Sequence, residues 1–386
     1  MTTKRKWALS FAHSFVLLLF SMLWLHSPYT YGDEKFLIKW SSVVKRMALH
    51  MDEDSSKDRF LFINLAHEKA LIPLEDQLGN EVITDRLALA KFFAIQQRHP
   101  SVIKFTVCDV YLKGKSENDQ LLSTSLSGIH NVIFPTLLDA NDHPVVPVIK
   151  VPYALADYKS SDQSFVKFQL LQGGHYPSVP VCLYEKLQHK TLSTAWGISW
   201  EGHQPCLNSV IIDYKIRPDA LFQNKNYPMV NLSELLLLPE DVIVTDFLQD
   251  KIVIMGDFEH DQHTTLLGSM PGSLILLNVY LSLVGGTHLI GWGWVLYMLV
   301  AFTLYSRLLF FRLPAPKKRA SKWLVRLLES VTLLATISIG SYFFFNIAIQ
   351  VLFLALYTSV LLFVKKVRAE KTPITSWQYW LTYFFH

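Results

Sequence analysis

The chain has 386 residues, of which 51% are hydrophobic and 18% are charged, and its formal net charge is +4 at pH 7. A mean hydropathy of +0.24 is too high for an ordinary soluble domain, yet the charged share is too high for a chain that lies wholly in a membrane. The sequence contains no long basic run and no alternation of basic with aromatic residues, so we exclude nucleic acid as a partner.

The first predicted element is an apolar, uncharged segment from Trp7 to Leu25, which follows a basic cluster at residues 4–6. It is long enough to cross a bilayer as a helix. No A-x-A-like cleavage site follows it, which favours a retained anchor with its basic flank in the cytoplasm over a cleaved signal peptide. Residues 1–31 are therefore predicted to form a cytoplasmic flank and a transmembrane anchor.

Strand-like and helix-like segments then alternate between residues 32 and 287. The predicted strands are Phe60–Ala66, Ser101–Tyr111, Asn131–Phe134, Phe165–Leu171, Val210–Tyr214 and Lys251–Met255. The predicted helices are Thr84–Arg98, Asp119–Leu126, Val179–His189, Leu232–Leu238 and Pro271–Leu283. This alternation predicts an α/β domain with a mixed, largely parallel sheet and flanking helices. Cys182 and Cys206 could pair in an oxidising compartment, and their spacing leaves that open.

Apolar segments return after residue 287. Leu289–Phe311 forms one, and Ser330–Val364 carries no charge. As a single helix the second segment would be about 52 Å long, against a hydrocarbon core of about 30 Å. It is better explained by two helices that turn near Asn346. Transmembrane helices are thus predicted at about 288–311, 328–346 and 347–364, which makes four with the N-terminal anchor.

The basic residues orient these helices. Two further basic clusters, at residues 312–326 and 365–368, lie on the same side as residues 4–6 when the chain has four spans. The positive-inside rule places that side in the cytoplasm. Both termini, including a short tail at 365–386, are therefore predicted to be cytoplasmic, and the α/β domain lies outside, with membrane lipid as a neighbour.

Candidate binding residues follow the predicted strands, since ligands gather at the carboxyl ends of strands in an open α/β sheet. Glu68 follows the first strand, Asp109 lies late in the second, and Asp257, Asp261 and His263 follow the strand at 251–255 in the stretch "GDFEHDQHTTLLGSMPG". These five are the predicted ligand contacts.

The same stretch allows two other interpretations. Asp257, Glu259, Asp261 and His263 offer oxygen and imidazole donors that suit a divalent cation. Alternatively, the acids cap the following helix and the histidines are solvated. No nucleophile elbow, phosphate-binding loop or dinucleotide fingerprint is present, so neither a cofactor nor an enzymatic activity is predicted. A metal-dependent hydrolase is a minor alternative.

Three segments carry a family resemblance: NDQLLSTSL at 118–126, VIIDY at 210–214, and 248–286, which holds a KIV-I-G strand, an Asp, a Thr–x–x–G segment and MPG before an apolar helix. They resemble the type-2 CHASE domain, an extracellular sensory module of bacterial cyclases and histidine kinases. The plan of one anchor before the domain and three spans after it also fits. Two departures are Leu276 and Leu277, which stand where many members have His and Ala.

The resemblance implies a sensor in a bacterial cytoplasmic (inner) membrane, which binds an external ligand or partner protein. Members of the family usually continue into a cytoplasmic output domain, whereas about twenty residues follow Val364 here. We therefore expect the bound state to pass through the helices to a separate membrane or cytoplasmic output protein. The alternative is a structural or assembly factor of the cell envelope.

Overall fold

A computed structural model describes residues 2–27, 29–49, 57–73, 79–156, 164–173, 175–195, 197–222, 227–312 and 319–369. The predicted cytoplasmic tail lies outside the described residues beyond residue 369. The chain divides into two compact units. Residues 51–289 form the α/β unit, and residues 1–50 with 290–386 form the helical unit.

The structure confirms every helix predicted in the α/β domain, although some helix ends differ by a few residues. The N-terminus of the first is fixed by Asp85, whose carboxylate accepts a hydrogen bond from the backbone N–H of Leu87 at 2.8 Å. In chain order the helices are α1 Thr3–Leu25, α2 Gly32–Leu49, α3 Arg86–Arg98, α4 Asp119–Leu126, α5 Val179–Gln188, α6 Pro218–Phe222, α7 Leu232–Leu235, α8 Glu240–Val242, α9 Gly272–Val284, α10 Trp292–Arg307, α11 Arg319–Phe345 and α12 Val351–Ala369. Wider turns follow α8 at Ile243–Leu248 and α10 at Leu308–Arg312.

The strands divide into long, buried ones and short peripheral ones. In chain order they are β1 Phe60–Asn64, β2 Lys69–Pro73, β3 Asn80–Thr84, β4 Phe105–Cys108, β5 Val132–Thr136, β6 Tyr153–Leu155, β7 Ser164–Phe165, β8 Lys167–Gln169, β9 Leu171–Gln172, β10 Tyr176–Pro177, β11 Leu192–Ala195, β12 Ile198–Glu201, β13 Gln204–Cys206, β14 Ser209–Ile211, β15 Met229–Asn231, β16 Ile252–Gly256, β17 Gln262–Thr265 and β18 Gly268–Pro271. The short ones form small, mostly antiparallel sheets.

The α/β unit is built on a six-stranded sheet with the order β15-β1-β16-β4-β5-β6, in which every neighbouring pair is parallel. Every residue of β1, β4, β5 and β16 is buried, as expected for strands covered on both faces. The chain reaches β4 before it returns to place β16 between β1 and β4. The sheet therefore brings the carboxyl ends of β16 and β4 side by side.

Helices cover both faces of this sheet. On one face, α3, α4 and α7 pack on alternate residues of the central strands and form one continuous apolar core. This core includes Phe93 of α3, Leu61 of β1 and Val253 of β16. On the other face, α5 and α9 pack against each other and against the sheet. The unit is thus a three-layer α/β/α structure with a parallel sheet, as the alternation of elements predicts.

Three predicted strands differ from the structure. Val210–Tyr214 is a strand only as far as Ile211, the end of β14. Ser101–Tyr111 is a strand only over β4, because residues 100–102 form a turn and residues 109–115 form a loop. Phe165–Leu171 is broken into β7, β8 and the start of β9, since these segments pair with different partners. Its middle part, β8, pairs antiparallel with β14. Alternation of apolar residues alone does not reveal such a change of partner.

Within the described residues, three helices of the helical unit are long and apolar enough to cross a membrane: Thr3–Leu25, Trp292–Phe311 and Leu328–Phe345. The fourth predicted span falls on α12, whose apolar part Val351–Leu362 is shorter. The predicted break near Asn346 is confirmed, since α11 ends at Phe345 and Asn346 adopts a left-handed conformation with φ of 58°.

The boundary between the units differs from the predicted one. The outside domain was expected to begin at residue 32, but α2 belongs to the helical unit and the α/β unit begins after residue 50. The alternating pattern starts only at β1, so the sequence contains no signal that assigns the preceding helix to either unit. Cys108, Cys182 and Cys206 are free thiols.

Candidate functional site

Three of the five predicted ligand contacts meet at the carboxyl edge of the central sheet. Asp109 directly follows β4, while Asp261 and His263 follow β16, the neighbouring strand. His263 Nε2 lies 3.0 Å from Asp261 Oδ1, and both side chains are partly exposed. We call Asp109, Asp261 and His263 the aspartate–histidine cluster. The parallel sheet explains why residues so far apart in sequence lie together.

The loop that carries two of these residues is a closed hairpin. In it β17 and β18 pair antiparallel from Gln262 and Pro271 to Thr265 and Gly268. The backbone N–H of Gly272 donates to the carbonyl of Asp261 at 3.1 Å, which ties the hairpin to the first residue of α9. The sequence predicted only a loop here. The hairpin fixes Asp261 and His263 at the N-terminus of α9.

Two glycines allow the close approach of these elements. A Cβ atom on Gly272 would overlap Asp261 Oδ2 and would lie 3.2 Å from His263 Nε2. A Cβ atom on Gly256 would lie 2.7 Å from Ser273 Oγ and 3.5 Å from Asp109 Cβ. Real Cβ atoms do not tolerate contacts under 3 Å, so glycine is needed at both positions for the cluster to form around α9.

Electrostatic interactions couple the three groups. Burial, followed by repulsion from the carboxylate of Asp261, raises the pKa of Asp109 from 3.8 to about 7, while His263 acts in the opposite direction. The hydrogen bond to Asp261, which outweighs burial, raises the pKa of His263. Near neutral pH, Asp109 is therefore close to half-protonated and lies beside the Asp261–His263 pair. Such a cluster can both accept and donate hydrogen bonds.

Ser273 adds a polar group beside this cluster. Its side chain is 1% exposed, and its Oγ has no hydrogen-bond partner among the residues that the structure describes. It is the second residue of α9, where the free N–H groups and the helix dipole favour negative charge or hydrogen-bond acceptors. An unsatisfied buried hydroxyl costs free energy unless a water or ligand atom satisfies it.

Asp257 and Glu259 belong to a different set of contacts. Lys69 Nζ donates to Asp257 Oδ2 at 2.8 Å, and the N–H of His260 donates to Asp257 Oδ1 at 2.8 Å. Burial raises the pKa of Asp257, but these hydrogen bonds outweigh it, and the net pKa lies below its ordinary value. Glu259 accepts from Asn64 Nδ2 at 2.8 Å. These contacts anchor the start of the loop to the last residue of β1 and to the first residue of β2.

Glu68 has a local structural contact. Its side chain is buried, and Oε1 accepts a hydrogen bond from the backbone N–H of Ser233 at 2.8 Å, at the start of α7. That bond satisfies a helix N-terminus rather than facing the aspartate–histidine cluster. Glu68 and Asp257 are therefore not brought into the cluster with Asp109.

The proposed metal ligands do not form one site. Asp261 pairs with His263, whereas Asp257 pairs with Lys69 and Glu259 with Asn64. In the part of the chain that the structure describes, no group of three or more His, Cys, Asp or Glu side chains is arranged to hold a metal ion.

A buried histidine–carboxylate pair outside the cluster, His288–Glu201, has no counterpart among the sequence predictions. His288 Nε2 lies 2.7 Å from Glu201 Oε2, which also accepts from the Tyr184 hydroxyl at 2.9 Å, and Lys190 Nζ donates to Glu201 Oε1 at 2.6 Å. Three of these residues lie in regions where the sequence shows little periodicity. No spacing could have paired residue 201 with residue 288. Ser273, by contrast, was recognisable as a residue of the predicted helix that opens with Pro271.

No known protein family, no curated protein and no solved structure matches this chain. The resemblance to the type-2 CHASE domain therefore stays a prediction. The assignment of function depends on the geometry of the aspartate–histidine cluster and on the helical unit.

Proposed function

We propose that this protein is a membrane-anchored binding module of the sensory type, which binds a small polar ligand at the aspartate–histidine cluster and passes that state to the helical unit. The observation that carries the proposal is Asp109, an acid with a pKa of about 7 beside a second carboxylate and a histidine. Perturbed groups of this kind concentrate at functional sites.

The position of the cluster supports the same proposal. It lies at the carboxyl edge of a parallel sheet, at the N-terminus of a helix, and next to the Ser273 hydroxyl, which has no partner among the described residues. Open α/β sheets bind ligands at this edge. Carboxylates that accept hydrogen bonds, together with a protonated Asp109 that donates one, suit a ligand with ammonium or hydroxyl groups. The N-terminus of α9 would meet an acceptor oxygen of the same ligand.

The chain offers a covalent route from this site to the membrane. Helix α9 begins at the cluster and ends at Val284, only a few residues before α10 begins at Trp292. A ligand that changes the position of the α9 N-terminus would act on a buried helix that residues 285–291 join to α10 in the chain. We infer that this is the path of the signal, as the resemblance to type-2 CHASE domains implies.

The four-span topology belongs to this proposal as well. Three helices are apolar enough to span, and α12 supplies the fourth, with both termini in the cytoplasm and the α/β unit outside a bacterial inner membrane. Alkaline phosphatase, which is active only outside the cytoplasm, tests this when fused after Ser27, Asp250, Ala315 and Ala369. Activity is expected only for the first two fusions. Activity after Ala369 would contradict the fourth span.

Ligand binding is tested by thermal unfolding of the full-length protein in detergent. The probes are a panel of amines, amino acids, sugars and inorganic phosphate. We expect at least one amine or hydroxyl compound to raise the melting temperature of the wild type, and not that of Asp109→Ala or Asp261→Ala. Lys104→Ala is the matched control, because Lys104 pairs with Asp250 on the surface, and it should respond like the wild type.

Two outcomes would contradict the proposal. If the wild type and the cluster variants respond alike to every compound, binding does not involve the cluster. If no compound acts and a protein co-purifies stoichiometrically with the chain regardless of these substitutions, the envelope assembly factor is the better explanation.

A further inference from the structure

Helix α2 of the helical unit carries an apolar stripe that faces away from its neighbours. Phe36, Trp40, Val44 and Met47 are 61%, 58%, 53% and 74% exposed. At 100° per residue these four positions fall within an arc of about 80° on the helix surface. Exposed apolar residues scattered singly need no explanation, but four aligned along one helix form a continuous apolar surface.

The opposite side of α2 is buried against the turn between α11 and α12. Glu34 Oε2 accepts from Gln350 Nε2 at 2.6 Å, and Asp33 Oδ2 accepts from the backbone N–H groups of Val351 and Leu352 at 3.1 and 3.0 Å. Asp33 thereby caps the N-terminus of α12.

The other end of α2 meets the same turn. Lys45 Nζ donates to Asn346 Oδ1 and lies 5.7 Å from the centre of the Tyr342 ring. Contacts from both ends of α2 thus fall between residues 342 and 352, where the α11–α12 hairpin reverses. A helix that ran alongside α11 would contact residues along its length. Helix α2 therefore lies across the end of the hairpin.

Aromatic side chains surround this end of the helical unit. Trp24 stacks on Phe353 at 4.6 Å between ring centres, and Tyr31 meets the same ring edge-on at 5.2 Å. Trp and Tyr concentrate at the boundary between hydrocarbon and headgroups. Because α1 and α11 are long and apolar enough to span a bilayer, their ends beside α2 mark that boundary.

Basic residues follow one edge of the apolar stripe. Lys35, Lys39 and Arg46 fall within an arc of about 40° beside Phe36 and Met47. Lys39 is exposed. The two acids of α2, Asp33 and Glu34, point instead towards α12 and its preceding turn. Lys39 therefore supplies exposed positive charge along this edge of the stripe, with the half-buried Lys35 and Arg46 beside it.

We propose that α2 lies in the plane of the membrane surface and binds anionic phospholipid. The apolar stripe enters the outer acyl region, and Lys35, Lys39 and Arg46 meet lipid phosphate groups. An amphipathic helix with aromatic residues on one face and basic residues along its edge has the chemistry of such a contact. This inference is independent of the ligand site, since no residue of the aspartate–histidine cluster takes part.

The depth of α2 tests the first half of the proposal. Full-length protein with Cys182→Ser is placed in phosphatidylcholine–phosphatidylglycerol vesicles, with a nitroxide on a cysteine at position 40 or 47. We expect these labels to collide more often with oxygen, which concentrates in acyl chains, than with a water-soluble nickel chelate. The matched control is Leu237→Cys in the α/β unit, where the native leucine is 85% exposed, and its label should favour the nickel chelate.

Other occupants of the stripe give distinct results. A label at position 40 or 47 that behaves like the one at position 237 places the stripe in water and overturns the proposal. Dipolar broadening that disappears on dilution with unlabelled protein would show that a second copy covers the stripe, which also overturns it.

Charge reversal tests the second part of the proposal, the contact of the basic residues with lipid phosphate groups. In the wild type, adding phosphatidylglycerol to phosphatidylcholine vesicles should raise the oxygen-to-nickel collision ratio at position 47. The triple variant Lys35→Glu, Lys39→Glu and Arg46→Glu should lose this response. Lys91→Glu, Lys104→Glu and Lys113→Glu change the net charge by the same amount on the α/β unit and should retain it. Equal responses from the two triple variants would overturn the assignment to anionic headgroups.

Discussion

Among the histidine–carboxylate pairs of the α/β unit, His263–Asp261 and His288–Glu201 have similar geometry but different surroundings. His263 lies 3.0 Å from Asp261, and His288 lies 2.7 Å from Glu201. Glu201 also accepts hydrogen bonds from Tyr184 and Lys190, so both of its oxygens are satisfied. Asp261 and His263 are partly exposed, and the acid next to them, Asp109, is largely buried.

The pKa values of the acids at the two sites shift in opposite directions. Burial raises the pKa of Glu201, but hydrogen bonds from Lys190, His288 and Tyr184 outweigh it and leave the pKa below its ordinary value. Burial lowers the pKa of His288, so its imidazole is neutral near pH 7. Asp109 instead has a pKa of about 7. Glu201 uses both oxygens in hydrogen bonds that stabilise the fold, whereas the shifted pKa of Asp109 marks the aspartate–histidine cluster as a place where a ligand can bind.

The largest expected effect is the loss of stability in Glu201→Ala. Removal of this carboxylate leaves the buried His288 ring and the Tyr184 hydroxyl without their acceptor. An unsatisfied buried group costs about 1 to 3 kcal/mol, so we expect the free energy of unfolding to fall by about 3 kcal/mol. Denaturant unfolding of the full-length protein in detergent measures this. Glu201→Gln keeps an acceptor and should lose less; equal losses in the two variants would contradict the proposed role of the acceptor.

At high pH, Asp109→Asn should raise the free energy of unfolding, whereas Glu201→Ala lowers it. Because the folded-state pKa of about 7 exceeds the ordinary 3.8, folded protein holds an extra proton between these values, and stability falls as pH rises through that window. A shift of this size costs on the order of a few kcal/mol once Asp109 ionises. Asparagine never ionises, so the variant should be more stable than the wild type at pH 8 by about 2 kcal/mol, with a smaller difference at pH 5.

Asp257→Asn is the matched control for this pH effect. The pKa of Asp257 is lowered in the folded protein, so its carboxylate stabilises the fold above its ordinary pKa, and that contribution is lost as pH falls through the folded-state pKa. The control variant should therefore be less stable than the wild type at pH 8. If both variants change stability in the same direction at pH 8, the contrast between the two acids is wrong.

The next largest effect on stability is expected for Gly256→Ala, which disturbs the close packing at the cluster. In Gly256→Ala the new Cβ would lie 2.7 Å from Ser273 Oγ and 2.8 Å from Ser273 Cβ, so α9 must move relative to β16. Overpacking of this kind costs about 1 to 3 kcal/mol, measured as the change in unfolding free energy. Gly32→Ala, whose new Cβ meets no atom within 4 Å at the first residue of α2, should not lower stability. Additional substitution of Ser273 by glycine should restore part of the loss.

Much of the fold could be predicted from local pattern. Uninterrupted apolar runs located β1 and β16, helical periodicity located α3 and α4, and Asn346 marked the turn between α11 and α12. Each of these signals lies within a short stretch of sequence. The place of Asp109 beside Asp261 and His263 could be anticipated only in part, from the rule that parallel strands share a carboxyl edge.

The rest depends on contacts between distant segments. Nothing near residue 201 indicates residue 288, and nothing near β17 indicates its parallel pairing with β7, in which Thr264 lies beside Ser164. Helix α2 shows the same limit. Its apolar stripe is visible as a helical pattern, but its position across the α11–α12 turn depends on Asp33, Glu34 and Lys45, whose partners lie some three hundred residues away.

The smallest change in stability is expected for Asp261→Asn, which also separates the two contributions to the pKa of Asp109. Asp261 and His263 are 48% and 39% exposed, and a solvent-exposed pair contributes less than about 1 kcal/mol. Removal of the Asp261 charge also removes repulsion of Asp109, so the pKa of Asp109 should fall, and the pH at which stability declines should shift downward. Thermal unfolding across pH 4 to 9 measures this midpoint. Glu201→Gln removes a comparable carboxylate from the Glu201–His288 pair and should leave the midpoint unchanged. An unmoved midpoint in Asp261→Asn would mean that burial alone sets the pKa of Asp109, and that Asp261 is not part of one coupled site.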